Sequence, residues 1–203
     1  MRFSEFIRED KILGTLTIFD VDECLFKTTA NVHVIKNGER VKSLSNHEFN
    51  THKLEPEHEF DFSEFTDAEK FYKESKPINR MISKAKIILK NTVINPLNRV
   101  IIITARQDFD DKGKFLAKFI QHGLDMSKIY VERSGNLKLM GAPAMKKVVI
   151  IKRYLDTKKY TKVRFFDDSI TNLKAFLNLQ QSYPSIKFEA YLADSEGRIK
   201  TIK

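Results

Sequence analysis

The sequence has no tryptophan, a single cysteine and no long apolar run, and each of these absences narrows what the chain can be. Because Cys24 is the only cysteine, no disulfide can form within the chain, which fits a reducing compartment. No run of about 18 apolar residues occurs, so we expect no membrane span. Residues 1–10 are too polar for a secretory signal. These absences favour a cytoplasmic protein without a membrane partner.

The composition is that of one folded domain with an uneven distribution of charge. Over 203 residues, 41% are hydrophobic and 16 are Phe, which is enough for a sizeable core, and we expect a single domain, 1–203. The net charge of +9 arises in residues 101–203, where 20 basic residues face 11 acidic ones. A basic half favours phosphates, nucleotides or nucleic acid as partners, although a solvated Lys-rich surface would look the same.

Short apolar segments alternate with amphipathic ones along most of the chain, which predicts an α/β fold with a parallel sheet and helices on both faces. The predicted strands are 15–19, 99–103, 128–131, 162–166 and 186–192. The predicted helices are 3–10, 67–74, 78–90, one ending at Gly123, 143–155 and one from Ser169 to about 180. Residues after 194 are expected to form a short tail.

Residues 27–95 form a predicted insertion after the first strand. Its first part, 32–41, predicts a β-hairpin with Asn37-Gly38 as the turn. The following stretch, 43–62, is rich in His and Glu and has no clean period. Its His and Glu spacing matches no zinc template, so solvated loop histidines are the simpler interpretation.

Polar side chains with a chemical use follow three of the five predicted strands. Asp20 and Asp22 follow the first, Thr104 the second, and Asp167 with Asp168 the fourth. Ligands of open α/β sheets bind beyond the carboxyl ends of the strands. Two carboxylates on one side of a chain repel each other unless a cation lies between them, and Mg²⁺ is a suitable hard cation. Taken singly, each of these groups could instead form a turn or a helix cap.

Four motifs carry these residues, and in their order and spacing they resemble the haloacid dehalogenase (HAD) superfamily of phosphatases from residue 14 to about 192. They are Phe19-Asp20-Val21-Asp22, Ile103-Thr104-Ala105-Arg106, Met145-Lys146-Lys147 and Phe166-Asp167-Asp168. The resemblance implies a Rossmann-like sheet of order 5-4-1-2-3 with a small flap or cap after strand 1. Glu23-Cys24 departs from the commonest Asp-x-Asp-Gly-Thr form and looks more like the acid-phosphatase branch. The Lys- and Asn-rich style also suggests a phage or viral source.

The resemblance implies catalytic roles for four residues. Asp20 would be the nucleophile and form an aspartyl-phosphate, while Asp22 would protonate the leaving oxygen and then activate water. Thr104 would donate a hydrogen bond to the phosphoryl group, and Lys146 would neutralise its charge. Lys147 is the rival to Lys146, since the choice depends on helix phase.

The resemblance also implies a metal site and a substrate site. Mg²⁺ would be held by Asp20, the backbone carbonyl of Asp22 and Asp167, with Asp168 less directly involved. The expected substrate-binding residues are Thr104, Ala105, Arg106 and Lys146. Arg106 could hold a second phosphate or a carboxylate, or could instead pair with Asp108 or Asp110.

The function expected from these motifs is Mg²⁺-dependent hydrolysis of a phosphate monoester. The length of the insertion and the basic second half favour a nucleotide or polynucleotide end slightly over a small phosphomonoester. The alternative is an inactive HAD scaffold that binds nucleic acid or a partner through its basic half. Phosphotransfer to another acceptor and dehalogenation are further options. Dehalogenation is disfavoured because it would give the paired acids Asp167 and Asp168 no role.

Overall fold

The computed structural model describes residues 13–49, 51–139 and 142–203, so the helix predicted over 3–10 lies outside the described residues. The strands are β1 Gly14–Phe19, β2 Phe26–Lys27, β3 Val32–Lys36, β4 Glu39–Leu44, β5 His58–Asp61, β6 Lys76–Pro77, β7 Arg99–Thr104, β8 Ile129–Arg133, β9 Tyr160–Asp167, β10 Lys187–Ala193 and β11 Ile199–Ile202. The helices are α1 Asn46–Phe49, α2 Ala68–Glu74, α3 Asn79–Ile94, α4 Lys112–Gln121, α5 Pro143–Leu155 and α6 Ile170–Asn178.

The central sheet has the order β11-β10-β9-β1-β7-β8. Five strands are parallel, and β1 lies between β7 and β9. The carboxyl ends of β1, β7 and β9 therefore meet at one edge, where the polar residues of the sequence motifs follow them. The fold is a mixed α/β fold with a mostly parallel sheet.

The chain end departs from the predicted tail. Residues 199–202 pair antiparallel with β10, so the sheet is not wholly parallel. The turn that reverses the chain is held by Asp194, whose carboxylate accepts hydrogen bonds from the amides of Glu196 and Arg198. Gly197 completes the turn with a φ of 73°, a conformation that glycine adopts without steric cost. The Asp-Ser-Glu-Gly sequence is thus a hairpin turn.

Apolar side chains cover both faces of the sheet. On one face, Phe115 and Phe119 of α4 pack with Met81 of α3 against β1 and β7. On the other face, α5 and α6 pack against the alternate residues of the strands, such as Leu16 and Ile18 of β1. Strands buried on both sides explain the near-continuous apolar runs of the sequence.

Part of the 27–95 insertion forms a separate small sheet, which we call the flap. It is an antiparallel sheet of order β4-β3-β5, and the predicted hairpin is present, with Asn37 and Gly38 both at positive φ. The rest of the insertion belongs to the main body, because α3 buries Met81 and Leu89 in the core. Within the described ranges, no helix is both long enough and apolar enough to cross a membrane.

Candidate active site

The candidate site lies at the carboxyl edge of the central sheet. Asp20 follows β1 directly, and its amide donates to the carbonyl of Phe166, which extends the β1–β9 ladder by one bond. This bond fixes Asp20 beside the end of β9, where Asp167 is fully buried. Asp20 is only 4% exposed, so its carboxylate is taken out of bulk water. Burial at this cost is tolerated where a carboxylate has charged or hydrogen-bonding partners.

The lysine that reaches these aspartates is Lys147, so the expectation of Lys146 is wrong. The Lys147 Nζ lies 2.7 Å from Oδ1 of Asp20 and 2.8 Å from Oδ2 of Asp167. Helix phase is the reason: α5 buries Ala144, Lys147 and Ile151 on one face, at a spacing of three and four residues. Lys146 is half-buried and lies about 100° round the helix from that face.

Three carboxylates converge around the Lys147 ammonium. Oxygen atoms of Asp20, Asp167 and Asp168 lie within 4.8 Å of one another. Burial raises the pKa of Asp20 well above its ordinary value, and the nearby Asp167 and Asp168 raise it further, against the opposing effect of Lys147. Burial and then Asp167 raise the pKa of Asp168 to about 7. The cluster therefore has more negative charge than Lys147 alone neutralises.

This donor set fits Mg²⁺. Carboxylate oxygens are the ligands that this hard cation prefers, and it is commonly bound by one or two of them together with water and substrate phosphates. A divalent cation would offset the negative charge of the three carboxylates that Lys147 alone does not balance. Among the described residues, Asp20, Asp167 and Asp168 form the one group of acidic, His or Cys side chains close enough to hold a metal.

Asp167 is held by more donors than the sequence indicates. Besides Lys147, its carboxylate accepts from the amide of Ser169 at 2.8 Å and from the side-chain amide of Asn172 at 3.0 Å to both oxygens. Ser169 also caps α6 by accepting from the Asn172 amide. Asn172 was not among the predicted site residues; its position in the first turn of the helix that follows the acidic pair is the signal that points to it.

Asp22 does not join the acidic cluster, because Arg106 binds its carboxylate. Arg106 Nε lies 3.1 and 3.0 Å from the two oxygens of Asp22, and Nη2 lies 2.7 Å from Oδ1. Arg106 therefore pairs with Asp22, and with neither Asp108 nor Asp110, the partners that the sequence had suggested as alternatives. A bidentate pair of this kind fixes both the position and the plane of the carboxylate.

Arg106 is itself enclosed by aromatic rings at the base of the flap. Its guanidinium carbon lies 4.8 Å from the ring centre of Phe65, 5.1 Å from Phe71 and 5.6 Å from Phe109. Its Nη1 donates to the Phe65 carbonyl at 3.0 Å. With 2% of its surface exposed, Arg106 is not free to hold a second phosphate in this arrangement.

Thr104 and Ala105 lie at the end of β7, next to Arg106. The Thr104 hydroxyl is buried and accepts from the Arg106 amide at 3.1 Å, and no hydrogen bond donated by it is seen within the described part of the chain. Ala105 is exposed at the same edge. Gly135 packs closely beneath this turn: a Cβ there would lie 2.5 Å from the Ala105 carbonyl oxygen.

Cys24 and the His and Glu side chains of the insertion lie in surroundings that suit a structural role. Cys24 is fully buried, and burial, followed by the charge of Asp20, raises the pKa of its thiol well above the ordinary value, so it is not an activated nucleophile. In the flap, His33 is buried between the hydroxyl of Ser43 and the carboxylate of Glu64. In the described part of the 43–62 stretch, the His and Glu side chains form no metal-binding group.

Comparison with known proteins supports the fold. No family model matches the sequence, and no curated protein matches it. Among solved structures, the chain is similar to the HAD domain of the effector protein Lem4 from Legionella pneumophila, with a TM-score of 0.53 and 12% identity. The match covers 92% of this chain and 89% of that one. At this identity the likeness concerns the fold alone, and the chain has a HAD-like fold.

Proposed function

We propose that the chain is a Mg²⁺-dependent phosphate monoester hydrolase that acts through an aspartyl-phosphate on Asp20. The observation that carries the proposal is the buried junction of β1 and β9, where oxygens of Asp20, Asp167 and Asp168 lie within 4.8 Å of one another and Lys147 contacts the first two. Such a cluster is expensive to bury and has no purpose in packing, whereas phosphoryl transfer needs a nucleophile surrounded by positive charge.

The first step forms a bond between an Asp20 oxygen and phosphorus and breaks the bond from phosphorus to the leaving oxygen. Asp22, two residues on from Asp20, would give the leaving oxygen its proton. Because both of its oxygens accept from Arg106 in this structure, Asp22 must take up that proton and free one oxygen from Arg106 before the step. Arg106 holds the Asp22 carboxylate in place, which makes Arg106 a positioning residue in this scheme. The Thr104 hydroxyl would donate to a phosphoryl oxygen, and Lys147 would neutralise charge shared between Asp20 and the phosphoryl group.

The second step restores the enzyme. Asp22 accepts a proton from water, the water oxygen bonds to phosphorus, and the bond between Asp20 and phosphorus breaks to release inorganic phosphate. Mg²⁺ held by Asp20, Asp167 and Asp168, with the backbone carbonyl of Asp22, would supply charge neutralisation at the phosphoryl oxygens. Asn172 and the Ser169 amide keep Asp167 oriented.

We further propose that the substrate is a nucleotide or the phosphorylated end of a polynucleotide, as the basic second half of the chain suggests.

Hydrolysis of an aryl phosphate tests the reaction. Wild-type protein is assayed with Mg²⁺ and with EDTA, beside Asp20→Asn and the control Asp125→Asn, an exposed position where Asn still caps the turn. We expect Mg²⁺-dependent release that is lost in Asp20→Asn and kept in the control. Turnover that persists in Asp20→Asn, or that EDTA leaves unchanged, would contradict the mechanism.

A further inference from the structure

A second feature lies on the face of the sheet that α3 only partly covers. An open groove of about 870 Å³ runs between α3 and strands β9, β10 and β11. Its lining includes Arg80 and Lys84 of α3, Arg164 of β9, Tyr191 of β10, and Arg198 with Ile199 at the β11 end. We call this the basic groove, because four cationic side chains line it and, among the described residues, no carboxylate does.

Two of the four cations have no partner in the described part of the chain. Arg80 and Lys84 lie one turn apart on α3 and make no hydrogen bond or ion pair there. Arg198 pairs with Asp194 at 2.7 Å, outside the lining. The unpaired cations leave a local excess of positive charge facing the groove.

Positive charge also exceeds negative charge beside the groove, around Glu189, which lies outside the lining. Glu189 accepts from Lys187 and Arg164 at 2.9 Å each, and Lys162 lies 3.8 Å away. One carboxylate therefore serves three cations and cannot neutralise them all. The surplus on this face is a property of the groove, distinct from the acidic edge where Asp20 lies.

An aromatic ring stands among these cations. The ring of Tyr191 lines the groove and is stacked on Phe166, with ring centres 4.7 Å apart and planes 14° from parallel. Phe166 in turn stacks on Phe19 at 4.8 Å. These two rings precede Asp167 and Asp20 in the sequence, so the stack extends from the strands of the acidic cluster to the groove.

We infer that the basic groove binds single-stranded nucleic acid, with phosphates on Arg80, Lys84 and Arg164 and a base against Tyr191. Cations along a groove with an aromatic ring for stacking are the features by which proteins hold single strands without reading their sequence. An acidic peptide fits less well. Of the strands that line the groove only β11, at its end, has an open edge, and a peptide without aromatic residues would leave Tyr191 without a stacking partner. This inference deepens the proposed function. Only the hydrolysis of an end of the bound strand rests on that proposed function; the binding of the strand to the groove does not.

The test measures binding without turnover. A fluorescein-labelled oligothymidylate of about 20 nucleotides, without a terminal phosphate, is titrated in EDTA and followed by anisotropy. The groove variant is Arg80→Gln with Lys84→Gln. The matched control is Lys152→Gln with Lys174→Gln, two exposed lysines on the helices of the opposite face. Each variant is also assayed for aryl phosphate hydrolysis, which should be unchanged.

We expect the groove variant to bind the oligonucleotide roughly tenfold more weakly. The slope of log K against log salt concentration should become shallower by about 1.4, since each of the two lost phosphate contacts contributes about 0.7 to that slope. The control should stay within about twofold. Glu189→Gln removes the carboxylate beside the groove that pairs with Arg164 and should tighten binding. Tyr191→Leu should weaken binding to the single strand more than binding to a duplex of the same length.

Either of two results would overturn the inference: no binding by the wild type at low salt, or equal weakening in the groove and control variants. An unchanged affinity for the single strand in Tyr191→Leu would overturn the stacking contact and with it the single-strand assignment. The two proposals can fail independently. Groove binding is measured by anisotropy under conditions without hydrolysis, and turnover is measured with an aryl phosphate, which does not need the groove.

Discussion

Lys147 illustrates how one side chain decides the electrostatics of the site. It is the sole cation in contact with Asp20 and Asp167 among the described residues, and its own pKa reflects this. Burial lowers the pKa of Lys147, but the charges of Asp167 and Asp20 outweigh burial and raise it above the ordinary value. Lys147 therefore keeps its charge at neutral pH.

Lys147→Met is expected to reduce aryl phosphate turnover by at least about 100-fold, since a preorganised charge at the phosphoryl group is lost. It should also lower the free energy of unfolding by about 3 kcal/mol, because two buried carboxylates lose their shared partner. The control is Lys146→Met, whose ammonium contacts no aspartate of the site, and it should keep turnover within about threefold. Chemical denaturation and steady-state kinetics measure both effects; equal losses in the two variants would count against the assignment.

Arg106 acts through Asp22, and a conservative substitution separates this role from substrate binding. Arg106→Lys keeps the charge but cannot form the bidentate contact, so we expect kcat to fall by roughly 10- to 100-fold with little change in KM. Arg133→Lys is the control, because Arg133 pairs with the half-exposed Asp108 away from the acidic cluster. A rise in KM alone would instead identify Arg106 as a substrate contact.

At the scale of secondary-structure elements, the sequence predicts what depends on local pattern. Apolar runs of strand length located the five parallel strands, and Asn-Gly located the flap hairpin. Contacts between distant positions could not be predicted this way: Arg106 and Asp22 are 84 residues apart, and only the assembled sheet brings them together. The choice between Lys146 and Lys147 failed for a related reason, since the buried face of α5 is set by what the helix packs against.

The turn after β7 depends on an element next to it, the loop that contains Gly135. Gly135→Ala would place a Cβ 2.5 Å from the Ala105 carbonyl oxygen and 2.7 Å from the Arg106 carbonyl carbon, so the Thr104–Arg106 turn must move. We expect a loss of about 1–3 kcal/mol in the free energy of unfolding, as for other overpacked sites, and a fall in turnover. Thermal denaturation and aryl phosphate kinetics test this.

Gly113→Ala is the matched control for this substitution. Gly113 lies in α4, and a Cβ there meets only the Asp111 side chain, at 3.3 Å. Alanine in a helix is favoured over glycine by roughly 0.5–1 kcal/mol, so stability should stay level or rise. If Gly135→Ala behaves like Gly113→Ala, the close approach beneath Ala105 does not constrain the site.

At the scale of the whole molecule, three basic residues of the second half surround Glu189, and this predicts that stability depends on pH in the acid range. Burial tends to raise the pKa of Glu189, but Lys187, Arg164 and Lys162 outweigh burial and lower it from 4.5 to about 2. A carboxyl whose pKa is depressed on folding stabilises the folded state above its unfolded pKa. That contribution is lost as pH falls from about 4.5 towards 2.

The difference in unfolding free energy between the wild type and Glu189→Gln should therefore be largest near neutral pH and shrink as the pH falls through this window. Denaturation at several pH values measures it. Glu196→Gln is the control, because Glu196 is exposed and 3.5 Å from its Lys27 partner. A difference that is independent of pH would show that Glu189 acts through packing and not through its charge.

The contact between Arg106 and the Phe65 carbonyl has a consequence for how the flap and the catalytic edge behave together. Phe65 follows the last flap strand, and the carboxylate of Glu64 beside it contacts His33 of β3 and accepts from the amide of Asn31, which precedes β3. Were the flap to withdraw together with Phe65, the guanidinium that holds Asp22 would lose this restraint, so the positions of the flap and of Asp22 would be coupled. By thermodynamic reciprocity, a ligand that binds better when Asp22 is held would then also favour the flap position seen here.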